Sequence, residues 1–258
     1  MYRLMQTGLL AETELQDVAR AVRAPQRLAV DESSMVEGSR PLGCMVVQDG
    51  LLCRYKMLAN GRRQILAFLI PGDTFGLSAI FLGRSDHGVA ALTPCQVATI
   101  SPAKLHGLLV QSPNIGTALW HDMMIQDSIA REWMTSLGQR PAYERICHLL
   151  CEMRIRLAEV SLADGDRLPW PFSQAVIGDA VGLSIVHVNR TLQRLRAEGL
   201  IILRGNTLTI LDWDRLQRSA GFNPSYLYLG RAPGGVGSPS PAMLSEPGTG
   251  ARLASKQL

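Results

Sequence analysis

The sequence predicts an α+β chain made of an antiparallel β-roll, similar to a jelly roll, followed by helices and a C-terminal hairpin. Turn signals at Asp49-Gly50, Asn60-Gly61 and Pro71-Gly72 recur every eleven residues, with strand-like runs between and after them. Many short strands at this spacing are typical of antiparallel barrels, sandwiches and jelly rolls. Beyond residue 111 the pattern changes to helical periodicity, which ends in a β-rich hairpin.

The first part of the chain, residues 1–111, should form the β-roll domain. A helix is expected from Thr13 to Val22, and Pro102 suits the first turn of another helix that extends through Val110. The strand-like runs between these helices are residues 44–48, 51–58, 62–70, 88–92 and 95–100.

A long helix over residues 112–139 should connect the two parts and mediate dimerisation. Its seam has the 4-3-4-3-4 spacing of a coiled coil. The seam consists of Leu119, Met123, Gln126, Ala130, Trp133 and Leu137. Packing of this helix on its own β domain is the alternative interpretation. Pro141 should end the helix, and another is expected from Ala142 to about Glu159.

Residues 173–211 have the order helix, turn, helix and hairpin. Ser173 and Ser184 are suitable N-caps for the two helices, and Gly199 suits the end of the second. Gly205-Asn206 predicts a tight turn between two β-rich runs. This order is that of a winged helix-turn-helix, so residues 140–230 are predicted to form a DNA-binding domain.

The second helix of this motif should present a reading face to the major groove. Val188, Thr191, Leu192 and Leu195 share the face expected to pack on the core. The opposite face carries Val186, Arg190 and Gln193, flanked by His187, Asn189 and Arg194. Arginine can bind guanine, asparagine or glutamine can bind adenine, and an exposed valine can contact a thymine methyl. Arg194, Arg196 and Arg204 lie where phosphates are expected. An ordinary solvated helix is the alternative, against which the paired helix and hairpin argue.

Composition agrees with a DNA-binding protein without identifying one. The net charge is +4 and the isoelectric point about 8.9, which is mildly basic. No membrane span or signal peptide is evident. Five irregularly spaced cysteines favour a reducing cytoplasm over a disulfide framework. No nucleophile, paired carboxylates or phosphate loop indicates an enzyme, and we expect no cofactor and no metal. Residues 231–258 are predicted to be a disordered tail.

Residues 8–229 resemble the Crp/Fnr family of bacterial transcription regulators. The resemblance rests on PGDTFG, the long helix, and GLSIVHVNRTLQRLRAEGLI with its hairpin. It implies a homodimer that binds a two-fold-related operator in double-stranded DNA and contacts RNA polymerase. It also implies base contacts from Ile185, Val186, Asn189 and Arg190. Well-known members carry glutamate at the position of Val186, whereas Arg190 matches the arginine that reads guanine. The full candidate set is Ser184, Ile185, Val186, His187, Asn189, Arg190, Gln193 and Arg194.

The β-roll of that family often holds cyclic AMP, but the implied nucleotide-binding residues are missing here. The glutamate for the ribose hydroxyl aligns with Leu77, and the Arg-Ser pair for the phosphate aligns with His87-Gly88. Arg84-Ser85 lies three residues earlier, so a shifted pair is an alternative. We therefore expect a regulator that does not depend on cyclic AMP. The other possibilities are an unrecognised small-molecule or redox effector, and a nucleotide-binding module that contacts protein instead of DNA.

Cys147, His148 and Cys151 lie on one predicted helix. Two thiolates four residues apart share a face and can bind zinc or respond to oxidation. Their apolar context, ICHLLCEM, favours buried core cysteines instead. Residues 1–43 contain no cysteine, which argues against an N-terminal iron–sulfur cluster.

Overall fold

The computed structural model of the chain describes residues 8–229. They form an antiparallel β-roll, a long helix and a winged helix-turn-helix, as the sequence predicts. The predicted tail at residues 231–258 lies outside the described residues.

Eight helices and eleven strands make up the described chain. The helices are α1 (Glu12–Ala21), α2 (Leu77–Leu82), α3 (Pro102–Gln111), α4 (Pro113–Gln139), α5 (Ala142–Glu159), α6 (Gln174–Val181), α7 (Ile185–Ala197) and α8 (Trp213–Ala220), and a 3-10 turn follows at Pro224–Leu227. The strands are β1 (Gln26–Leu28), β2 (Ser33–Met35), β3 (Cys44–Asp49), β4 (Leu52–Met57), β5 (Arg63–Leu69), β6 (Thr74–Phe75), β7 (Gly88–Ala91), β8 (Cys95–Ile100), β9 (Arg167–Pro169), β10 (Ile201–Arg204) and β11 (Thr207–Ile210).

The β-roll consists of two four-stranded antiparallel sheets. One has the strand order β1-β8-β3-β6 and the other β2-β7-β4-β5. Buried side chains from both sheets meet in an apolar cluster that includes Met45, Leu52, Phe75 and Val89. The predicted turns occur where expected, and Gly50 and Gly61 have φ of 80° and 78°, a left-handed conformation that glycine adopts without steric cost.

Helix α4 packs along the β-roll, and this packing corrects the predicted dimer seam. Leu119 is buried in a cluster with Ile100 and Leu105, and the ring of Trp133 meets that of Phe68 at 5.7 Å. The prediction that Leu119 and Trp133 face a partner was therefore wrong, because the chain's own core covers them. The large apolar residues exposed on α4 are instead Trp120, Met124 and Met134.

The helix-turn-helix has the geometry that its sequence indicates. A Cβ atom at Gly178 would lie 2.6 Å from the carbonyl oxygen of Leu183, so only glycine permits this approach of α6 to the turn. Gly182 ends α6 with φ of 65°. Strands β10 and β11 pair antiparallel around the predicted two-residue turn. A third strand, β9, pairs with β11 and was not predicted.

The winged helix-turn-helix is docked on the β-roll of the same chain. The rings of Phe68 and Phe172 stack at 4.5 Å, and Arg63 of β5 pairs with Asp179 of α6 at 2.8 Å. Arg156 reaches across this contact, since its guanidinium donates to the Asp73 carboxylate at 2.8 Å and to Glu152 at 3.1 Å. One apolar core therefore continues from the roll into the helices.

Candidate nucleic-acid interface

Helix α7 separates a buried face from an exposed one, as predicted. Val188, Thr191, Leu192 and Leu195 are all buried in the domain core. Ser184 caps the helix, because its hydroxyl accepts a hydrogen bond from the backbone amide of His187 at 3.3 Å.

The predicted site residues all lie at the start or on the outward side of α7. Asn189 is half-buried, and the remaining seven are exposed: Ser184, Ile185, Val186, His187, Arg190, Gln193 and Arg194. The two apolar members are unusually open, with 55% of Ile185 and 67% of Val186 exposed. The fold therefore leaves seven of the eight predicted residues exposed and the eighth half-buried, all at the start or on the outward side of one helix.

Two arginines of this surface differ in their surroundings. Within residues 8–229 the Arg190 side chain forms no hydrogen bond or ion pair. Arg194 instead donates to the Glu198 carboxylate at 2.7 Å, and its guanidinium lies 4.1 Å from the centre of the Tyr143 ring. Arg190 therefore has no competing partner within residues 8–229, whereas Arg194 is bound to Glu198 through its Nε.

Tyr143 is a residue of this surface that sequence reasoning missed. Its hydroxyl donates to the Glu198 carboxylate, so α5 is joined to the end of α7. The hydrogen bonds from Tyr143 and Arg194 hold the pKa of Glu198 below its usual value. The Arg194–Glu198 pair has the i, i+4 spacing of a helix ion pair and could have been found from the sequence; the tyrosine, from another helix, could not.

Further basic residues lie on α7, on the hairpin and on α8. Arg196 on α7 and Arg204 at the tip of the hairpin are exposed. Arg215 donates to the carbonyl oxygen of Glu198 at 3.1 Å. Exposed arginines on the elements next to a reading helix are residues of the type that contacts phosphates.

A second candidate site lies between the β-roll and α4. A cavity of about 430 Å³ and an adjoining one of about 230 Å³ share Arg54, Ser78, His87, Gln126 and Ala130 in their linings. Leu77, at the position of the family's glutamate, is buried and packs on Ile100 and Leu105. Arg84 is exposed and lines neither cavity, and the Ser85 hydroxyl donates to the His87 carbonyl at 2.7 Å. The structure therefore does not support the alternative in which Arg84 and Ser85 bind the nucleotide phosphate.

The cavity is lined by polar groups, of which Arg54 was not singled out from the sequence. Arg54 of β4 donates to the side-chain oxygen of Gln126 at 3.0 Å, while its Nε has no partner among residues 8–229. His87 contacts Asp86 through Nδ1 at 2.7 Å and leaves Nε2 without a partner in the same range. Burial and the charge of Arg54 lower the pKa of His87, which favours the neutral ring.

The two cysteines of α5 are free thiols in the core. Cys147 and Cys151 are fully buried, and burial raises the pKa of the Cys147 thiol to about 12 and raises that of Cys151 as well. Thiols react as thiolates, so these two are poorly suited to redox chemistry. Residues 8–229 contain no group of three or more histidine, cysteine or acidic side chains that could hold a metal.

The fold and this surface define a class: a DNA-binding regulator with a nucleotide-binding-like β-roll. A family model described as a Crp-like helix-turn-helix domain matches residues 144–219, and one described as a cyclic nucleotide-binding domain matches residues 26–112. No helix within residues 8–229 is long and apolar enough to cross a membrane.

Relatives of the chain are transcription regulators. It is 31% identical over 175 residues to the nitrogen fixation regulation protein FixK of Bradyrhizobium diazoefficiens, covering 67% of this chain and 72% of that protein. It is 28% identical over 181 residues to the transcriptional activator protein FnrL of Cereibacter sphaeroides, covering 68% and 71%. The solved structure of FixK2 from Bradyrhizobium japonicum matches with a TM-score of 0.69 and 28% identity, covering 75% of this chain and 95% of that one. The chain belongs to the Crp/Fnr family of transcription regulators.

Proposed function

We propose that this protein acts as a homodimer on a two-fold-related operator, reads it with α7, and does not require cyclic AMP. The observation that carries the proposal is the outward face of α7, where Arg190 has no partner within residues 8–229 while the opposite face is buried. In this proposal the regulator works at the bacterial chromosome, in the cytoplasm, and contacts RNA polymerase there.

An apolar stripe on α4 supports the homodimer. Trp120, Met124 and Met134 are between 50% and 66% exposed on a helix of 27 residues. Asp127 and Arg131 lie between them and pair with each other. Exposed apolar residues that repeat along one side of a helix favour burial against a second helix, and a two-fold axis along α4 would place both α7 helices on one side of the dimer.

The β-roll supports independence from cyclic AMP. An acid for the ribose hydroxyl is missing at Leu77, and Arg84 is turned to solvent instead of lining the cavity. Calorimetry with cyclic AMP and cyclic GMP should show no binding at micromolar concentrations. A sub-micromolar dissociation constant for either nucleotide would contradict this part of the proposal.

A second candidate function is a regulator gated by another small molecule. The Nε of Arg54 and the Nε2 of His87, which have no partner among residues 8–229, favour it, because buried polar atoms without partners are rare unless a ligand or water pairs with them. The affinity of the purified protein for its operator should then change when the low-molecular-mass fraction of a cell extract is added. Arg54→Met should abolish that difference, and Arg84→Met, at an exposed arginine outside the cavity, should leave it unchanged.

Selection of genomic DNA fragments by the purified protein tests the main proposal. It should yield a palindromic consensus whose half-sites are about one helical turn (~34 Å) apart. Arg190→Ala should cost about 1–3 kcal/mol per half-site and relax preference at one base pair in each. Arg84→Ala, far from α7, is the matched control and should change nothing. A domain that contacts protein instead of DNA would select no sequence.

A further inference from the structure

We propose that Ile185 and Val186 recognise thymine methyl groups, so that thymine is required close to the guanine contacted by Arg190. The inference rests on the proposed function and assigns a base preference to the positions where the usual glutamate contact is absent. It is carried by the exposure, size and position of these two side chains.

The two residues form an apolar tip on an otherwise polar surface. Both are β-branched, both lie in the first turn of α7, and 55% and 67% of their surfaces are exposed. Neither belongs to an apolar cluster of the described chain. His187 and Arg190 beside them are also exposed, so the apolar tip does not extend into a larger apolar patch.

The size of the tip decides between possible occupants. A protein–protein interface typically buries about 800 Å² on each partner, which two side chains surrounded by polar residues cannot supply. A methyl group that projects from a base is small enough to be covered by one valine or isoleucine. In the major groove only thymine carries such a group.

The apolar tip lies next to Arg190, so both should reach base edges in the same part of the major groove. Val186 and Arg190 are four residues apart on one helix face, where Cβ atoms are about 5–6 Å apart. Successive bases along a strand are about 3.4 Å apart, so the contacted methyl should lie within two base pairs of the guanine. This assignment needs no movement of α7, whose opposite face is fixed in the core.

The chemistry of the two side chains excludes the other bases. Valine and isoleucine offer no hydrogen bond to the amino group of cytosine or adenine, or to the acceptors of guanine. Covering such a group without pairing it costs free energy, because the group loses its hydrogen bonds to water. Discrimination therefore comes both from contact with the methyl and from the cost of covering a polar edge.

Replacing single thymines by deoxyuridine tests the inference, because this change removes only the methyl group. Within two base pairs of the Arg190-dependent guanine, each replacement should weaken binding about fourfold, the factor that corresponds to ~0.8 kcal/mol per buried carbon. Thymines elsewhere in the operator should tolerate the change. Fluorescence anisotropy at fixed salt gives the affinities.

Variants separate this contact from a general effect on the helix. Val186→Ala should lose most of the sensitivity to deoxyuridine, and Gln193→Ala, on the same face but further along α7, should retain it. Val186→Glu should shift the selected base at that position from thymine to cytosine, since a carboxylate accepts from the cytosine amino group.

The outcomes distinguish this inference from the function on which it rests. A palindromic operator that tolerates deoxyuridine at these positions, or that has no thymine there, would overturn the inference and leave the proposed function intact. Failure to select any sequence would overturn both.

Discussion

Arg156 should stabilise the docked arrangement of the two domains by several kcal/mol. Arg156 is 4% exposed, and its guanidinium donates to Asp73, to Glu152 and to the carbonyl oxygen of Phe68. Arg156→Met keeps a side chain of similar length and removes the charge. Asp73 and Glu152, 1% and 0% exposed, would then remain buried without their shared cation.

The expected loss of stability depends on the hydrogen bonds that each carboxylate keeps when Arg156 is replaced. Breaking a buried ion pair from one side typically costs about 3–5 kcal/mol. Asp73 still accepts from the backbone amide of Ile70 at 3.0 Å, and Glu152 still accepts from Tyr226 at 2.8 Å. The Nε of Arg156 already lacks a partner among the described residues. These facts place the loss near the lower bound, about 3 kcal/mol in the free energy of unfolding.

Urea unfolding followed by tryptophan fluorescence, at one fixed protomer concentration, measures this loss. The matched control is Arg154→Met on the same helix, because Arg154 pairs with the more exposed Asp166 at 2.7 Å; it should cost about 1 kcal/mol or less. Asp73→Asn combined with Arg156→Met should cost less than the sum of the single changes. Equal losses for Arg154→Met and Arg156→Met would refute the reasoning.

Three further predictions concern α4, α5 and α6. Trp120→Glu with Met134→Glu should convert the proposed dimer to monomers in sedimentation, because like charges would be buried against their copies; a fully dimeric double variant would contradict that interface. Burial lowers the pKa of His148 to about 4, so the unfolded state binds more protons below the ordinary value of 6.5, and stability should be full above that pH and fall as the pH decreases. Between pH 7.5 and 5 the loss from this group is about 2 kcal/mol; His148→Gln should lose that much less, and an identical pH dependence of both proteins would contradict the assignment. Gly178→Ala should lower stability by about 1–3 kcal/mol through overpacking, whereas Gly107→Ala, with no atom within 4 Å of the added carbon, should be neutral or stabilising.

The fold could be predicted because its signals are local. Ser173 and Ser184 both cap the helices that they were expected to cap, and Gly205 forms the turn that its position predicts. Such signals depend on a few neighbouring residues, so they do not require knowledge of tertiary packing. The same holds for the face of α7, where helical periodicity separates Val188 from Arg190.

What the sequence could not provide depends on neighbours distant along the chain. Helix α4 has two apolar sides, one with Leu119 and Trp133 and one with Trp120 and Met134, and its spacing does not show which side the β-roll covers. Arg54 was missed because a cation in a strand is usually exposed, and only the fold places it against Gln126 of α4. The contact of Tyr143 with Glu198 joins residues 55 positions apart.

The winged helix-turn-helix is attached to the β-roll by side-chain contacts that include the stacking of Phe68 on Phe172 and the ion pair of Arg63 with Asp179. These contacts restrict movement of α6 relative to the β-roll. Because α4 is packed on the same roll, the distance between the two reading helices of the proposed dimer is set by side-chain packing and not by the length of a linker. Such a dimer tolerates substitutions in the spacer of its operator far better than a spacer lengthened by one base pair, which would rotate one half-site away from its helix. In the proposed dimer, spacer length would therefore be part of the recognised signal.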